Sequence, residues 1–185
     1  MDENLNNFQI AFYEASSPDL DSLSSIVELC LSKSKKGYKV VLLIEESLKK
    51  DLVNSVHRAV DIDYDKEVSI LSFQTMRQVS VKYMANIKDV KSFFAGIHFT
   101  PEDSFKSAMK TSYVAFISKS TMQNEDAFFQ EISKVISIAK NARDWMRSKN
   151  LEVEISIYVP SLASSNDVVM NIAQYYGLAL GATIT

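Results

Sequence analysis

Val40-Val41-Leu42-Leu43-Ile44 is an unbroken apolar run, too short for a helix and rich in β-branched residues, and it limits the folds open to this chain more than any other stretch. A strand apolar at every position has both faces covered, the situation of a central strand in a parallel sheet with helices on either side. The sequence before it fits that requirement. Phe8 to Glu14 reads as a first strand, with Ile10, Ala11 and Phe12 apolar in succession. Ser16-Ser17-Pro18-Asp19 supplies helix-start chemistry, and Leu23, Ile26, Val27, Cys30 and Leu31 then recur at helical spacing. Lys33, Lys35 and Lys36 complement the carbonyl end of that helix, and Gly37 is the residue that leaves it.

The same alternation continues downstream. Leu48, Leu52, Val56, Ala59 and Val60 trace the stripe of a second helix, and Val68 to Phe73 a third strand. Val79 to Tyr83 fits a short strand or a helix, Asp89 to Phe94 a helix, and Pro101-Glu102-Asp103 a helix first turn. Tyr113 to Ser118 is a further buried strand. Asn124 to Ser148 is a long helix with two apolar stripes, Phe129, Ile132, Ile136, Ala139 and Met146 on one and Phe128, Val135, Ile138, Ala142 and Trp145 on the other. One stripe is expected to face the sheet and the other to need a second cover. Leu151 to Val159 alternates apolar and polar residues, which places it near a sheet edge. Ser164 to Tyr176 is a last helix, and Leu178 to Thr185 is a candidate for an added strand. Strands alternating with helices imply crossovers and a mostly parallel sheet with helices on both faces. Residues 1–7 lack periodicity and read as a flexible tail, which leaves 8–185 as a single domain.

Composition removes several functions. With 46% apolar and 23% charged residues and no apolar run near the roughly 20 residues a bilayer requires, no membrane span is expected. The acidic start Met1-Asp2-Glu3-Asn4 is unlike a secretory signal, and a single cysteine forms no internal disulfide, so a cytoplasmic location is expected. A formal charge of −3 without a basic cluster gives no purchase on phosphate backbones, and no nucleic-acid partner is expected.

In parallel α/β sheets ligands gather outside the carboxyl ends of the strands. The candidate ligand-binding residues there are Tyr13, Glu14, Ser16, Glu45, Glu46, Gln74, Ser118, Lys119 and Tyr158. A phosphate-gripping loop would lie between Glu14 and Leu23, yet Ala15-Ser16-Ser17-Pro18-Asp19-Leu20-Asp21-Ser22 has no glycine, no lysine and two carboxylates, a composition that repels a triphosphate. Where an ATPase strand would end in a magnesium-holding aspartate, this chain has Ser118-Lys119. The pair Glu45-Glu46 has the chemistry to polarise a water or hold a cation, but it is also a strand end feeding a helix start, where the helix dipole favours carboxylates. Cys30 lies on an apolar stripe and reads as core. His57 and His98 lack companion ligands, and Ser16, Ser17 and Ser120 lack a histidine in triad context, so no metal site and no catalytic residue is expected. Met76, Met84, Tyr83, Phe93, Phe94 and Phe105 have the character of an apolar pocket lining or of ordinary core.

The succession Phe12-Tyr13-Glu14, Lys35-Lys36-Gly37-Tyr38-Lys39-Val40, Ile44-Glu45-Glu46-Ser47 and Ile70-Leu71-Ser72-Phe73 resembles the core of RecA-type ATPases of the KaiC kind, in which the acidic pair after the second strand includes the catalytic glutamate. The absent phosphate loop brings the chain nearer to the MEDS domain, the sensory family named for methanogens, methylotrophs and the regulator DcmR. That family is similar in length, lacks the loop and begins with a strand ending Phe-Tyr-Glu. The chain departs from it in its fourth strand, around Tyr113 to Ser118, and in Tyr158-Val159-Pro160-Ser161 after the fifth. The resemblance implies a RecA/KaiC-like three-layer sandwich and a non-catalytic sensory or regulatory domain. Such a domain would take an unidentified small-molecule ligand or a signalling protein at the carboxyl edge of the sheet, without a cofactor. The alternative is an ATPase-dead assembly subunit that acts through protein pairing, a homo-oligomer among the options, motivated by the two-striped helix.

Overall fold

The computed structural model describes residues 8–14, 20–61, 77–100, 110–118, 124–161, 166–176 and 178–180. Their elements, in chain order, are β1 (Phe8–Glu14), α1 (Leu20–Lys35), β2 (Lys39–Glu45), a 3-10 turn (Glu46–Leu48), α2 (Lys49–Asp61), β3 (Val79–Met84) and α3 (Ile87–Gly96). A second 3-10 turn (Ile97–Phe99), β4 (Lys110–Phe116), α4 (Glu125–Ser148), β5 (Glu152–Ser161), α5 (Asn166–Tyr176) and β6 (Ala179–Leu180) follow. The strands lie in the order β3-β2-β4-β5-β1-β6, and every neighbouring pair is parallel. The expected α/β sandwich is therefore present. The segments expected as the N-terminal tail, the strand Val68 to Phe73, the helix start Pro101-Glu102-Asp103 and the last residues of the chain lie outside the described residues.

Side-chain alternation along each strand divides the interior into two cores. On one face Ala11, Tyr13, Val40, Leu42, Ile44, Val114, Phe116 and Tyr158 pack under α1 and α2 through Leu23, Ile26, Val27, Cys30, Leu48 and Leu52. On the other, Phe8, Ile10, Val41, Leu43, Tyr113, Ala115, Val153, Ile155 and Ile157 meet residues of α3, α4 and α5. β2 is buried from Val40 to Ile44, as its unbroken apolar run requires.

Local chemistry fixes the helix ends. Gly37 adopts φ +86°, which lets its N–H donate to the Ser34 carbonyl at 2.9 Å and the Tyr38 N–H to Lys33 at 3.2 Å, closing α1. Asn150, at φ 59°, closes α4 in the same manner, with Leu151 N–H on the Met146 carbonyl at 3.2 Å. Asn86 caps α3, its side-chain oxygen accepting from Lys88 N–H at 2.9 Å.

Three expectations change. The segment Val79 to Tyr83 is a strand, hydrogen-bonded to β2 along its length. β5 is an interior strand between β4 and β1, and its polar residues do not face open water. Glu154 accepts from Lys33 and from the Tyr38 hydroxyl (2.8 Å for the latter), and Ser156 is buried beside Gln9 at 3.1 Å, so polar partners replace solvent on that face. The second stripe of α4 already has its cover within the chain. Phe128, Val135 and Ala142 are buried, and α4 packs against both α3 and α5, with Lys91 to Glu131 at 3.0 Å tying α3 to it. The motive for a pairing subunit is thereby lost.

Candidate functional site

The carboxyl edge is assembled from the ends of parallel strands, and their register determines which candidates meet. Ile44 of β2 lies opposite Phe116 of β4, so Glu45 and Ser118 come to the same stretch of edge. There they border a cleft with Met84, Asn86, Ile87, Val90, Phe116 and Ile117. The free space in it is about 10 Å³, close to the lower limit for one water molecule. Ser47 donates its hydroxyl to Glu45 Oε1 at 2.8 Å. Glu46, next in sequence, is exposed in the 3-10 turn, so the two carboxylates do not converge on one point of the cleft.

The helix start beside this cleft is already satisfied from within the chain. Asn86 caps Lys88 N–H, and the carboxylate of Asp89 accepts from Ala85 N–H at 2.8 Å, which occupies donors that an anion would otherwise use. Ser118 is buried. The edge thus combines two carboxylates with a capped helix start, a poor receptor for a phosphate chain.

Two other candidates prove to be core. Tyr13 is 0% exposed, its ring stacks on Phe116 at 4.5 Å, and its hydroxyl donates to the Ile117 carbonyl at 2.9 Å. Tyr158 is buried within β5, and its hydroxyl accepts from Gln9 at 3.5 Å. Burial foremost pushes its phenol up to about 12, so it stays protonated. As ligand contacts at the edge both are corrected: strand alternation turns them beneath α1 and α2, away from the opening. Glu14, as a side chain, and Ser16, Gln74 and Lys119 lie outside the described residues.

The remaining singled-out groups separate cleanly. Cys30 is buried and its thiol is pushed up to about 12, by burial first and despite the nearby Lys33, so it is held as an unreactive thiol. His57 is exposed, and His98 sits edge-on to Trp145 at 5.3 Å. Among the described residues no group of three His, Cys, Asp or Glu side chains could hold a metal ion. No described helix is long and apolar enough to cross a membrane. Met84 and Phe94 are core residues, whereas Phe93 is half-buried.

Two larger hollows lie away from the carboxyl edge. One, about 580 Å³, runs between α5 and β6 and is lined by Asp167, Met170, Asn171, Gln174 and Leu180 among others. The other, about 510 Å³, opens under α3 toward the amino ends of β2, β3 and β4, with Lys39 and Lys82 on its rim. Sequence reasoning missed these lysines. The signal that unites them is the inter-strand register, which a single sequence does not display.

No family model matches the sequence, and no curated protein matches it. Among solved structures, the chain is similar to the ATPase domain of a RecA-like helicase, with 11% sequence identity and a TM-score of 0.49. The match covers 88% of this chain and 60% of that one.

Proposed function

We propose that this chain is a non-catalytic relative of RecA/KaiC-type domains, of the MEDS sensory kind, that works in the cytoplasm as a sensory or regulatory module. The observation that supports this reading is the carboxyl edge between β2 and β4. Its cleft offers about 10 Å³, its side chains are Glu45 and a buried Ser118, and its adjoining helix start is capped by Asn86 and Asp89. Nucleotide hydrolysis needs donors and a metal grip around the terminal phosphates, since phosphoryl transfer is catalysed by positioning and charge neutralisation. Here the first turn, 15–22, is acidic and without glycine, and the metal aspartate is replaced by serine.

A domain of this kind transmits a signal by contact with another protein, after binding a small molecule or in its place. Titration of the purified chain with Mg-ATP by calorimetry is expected to give no saturable heat, and phosphate release is expected to stay at the level of a no-protein blank. Turnover that is lost in Glu45→Ala or Glu46→Ala would overturn the reading and make the acidic pair a catalytic one.

A further inference from the structure

The cavity under α3 has a floor written in three rows by the strand register. Lys39 lies opposite Thr111; Ser80, Val41 and Tyr113 form the next row; and Lys82, Leu43 and Ala115 form the third. All these side chains share one sheet face because their positions have the same parity. The wall is the last part of α3 and the turn after it, through Ser92, Phe93, Gly96, Ile97 and Thr100. The enclosed space, about 510 Å³, is of the size that takes a small organic molecule.

Its chemistry is one-sided. Every polar side chain among the described lining residues is an ammonium or a hydroxyl, and no carboxylate is among them. No described carboxylate pairs with Lys39 or Lys82, whereas nearby Lys110 is held by Glu152 at 3.0 Å. Tyr113, its phenol pushed up to about 12 by burial, stands as a protonated hydroxyl at the cavity's inner side. Its ring meets that of Phe93 edge-on at 5.9 Å, which makes an apolar aromatic corner between the two lysines. The carbonyl end of α3 opposes an anion here. Part of that end is already engaged, the Phe94 carbonyl by Ile97 N–H and the Ile97 carbonyl by Thr100 N–H at 3.0 Å.

We propose that this cavity is a binding site for a small aromatic anion, its ring against Phe93 and Tyr113 and its carboxylate or phosphate between Lys39 and Lys82. The site lies at the opposite end of the sheet from the carboxyl edge, and it stands whether or not the chain turns over nucleotide.

Phenyl phosphate and benzoate serve as probes, with benzyl alcohol as the neutral control, in amide chemical-shift titrations of the full chain. The expected result is saturable shifts at Lys82, Gly96 and Thr111 with either anion and none with the alcohol. Lys39→Gln/Lys82→Gln is expected to weaken phenyl phosphate at least about tenfold at an unchanged melting temperature, both lysines being exposed. Raising sodium chloride in the parent protein should weaken binding in the same direction, which tests the charge without a substitution. Absence of saturable shifts with both anions, saturation elsewhere on the surface, or equal binding by the double variant or at high salt would each overturn the proposal.

Discussion

Gly37 and Gly96 both follow apolar helical stretches, yet they obey different constraints. Gly37 leaves α1 at φ +86°, a conformation in which a Cβ is strained whatever space surrounds it. Gly96 closes α3 at φ −69°, ψ −19°, ordinary helical geometry, and a Cβ there meets nothing within 4 Å. Gly37→Ala should therefore destabilise the protein by about 1 kcal/mol, while Gly96→Ala should stabilise it by about 0.4–1 kcal/mol by narrowing the unfolded ensemble. Urea melts of the two variants check the opposite signs, and equal signs would refute the reading of both positions. The acidic pair illustrates the same point about local geometry: Glu45 and Glu46 are adjacent in sequence, but the strand-to-turn transition directs one to the cleft and leaves the other in solvent.

At the scale of elements, α3 has ten residues, too few to persist as an isolated helix, so its packing against α4 and the sheet holds it in place. Phe94 is its anchor, 0% exposed and within ring-contact range of Tyr113 at 6.1 Å. Phe94→Ala is expected to cost about 3–5 kcal/mol, the sum of lost transfer energy and a cavity left behind. Lys91→Ala removes only the partly exposed pair with Glu131 and is expected to cost under about 1 kcal/mol. Chemical denaturation of both variants measures the ratio, and a larger loss for the lysine would show that charge, not packing, holds α3. The same α3–α4 contact accounts for the two stripes of α4, one side resting on the sheet and the other on its neighbouring helices.

For the molecule as a whole, the polar group that ties α1 to the middle of the sheet is Glu154. Burial raises its carboxyl pKa, but hydrogen bonds from Lys33 and Tyr38, with the charges of Lys33 and Lys36, lower it by more, and the net direction is down. A depressed folded-state pKa adds stability that is complete above the unfolded value of 4.5 and disappears as pH falls through the folded one. Glu154→Gln should therefore lower stability by about 1–2 kcal/mol at neutral pH and leave it unchanged near pH 3, where the parent carboxyl is itself protonated. Thermal melts of parent and variant across that range decide it. A difference that persists undiminished into acid would mean that shape, not charge, is what Glu154 contributes.

The alternation of strands and helices, the buried central strand Val40 to Ile44, the amphipathic stripes of α1 and α2 and the acidic, glycine-free first turn are all determined by the sequence itself, because each rests on spacing within one segment. The placement of β5 was not legible: Glu152, Glu154 and Ser156 alternate like an edge strand, and only the arrival of Lys33, Tyr38 and Gln9 from other segments allows that polar face to be interior. The candidate edge divides in the same way, since Glu45 and Ser118 are brought together as foreseen while Tyr13 and Tyr158 are turned into the core. Only tertiary structure decided where space and charge coincide. Lys39, Lys82 and Tyr113 share a cavity through the hydrogen-bond register of three strands, a long-range pairing that no local periodicity encodes.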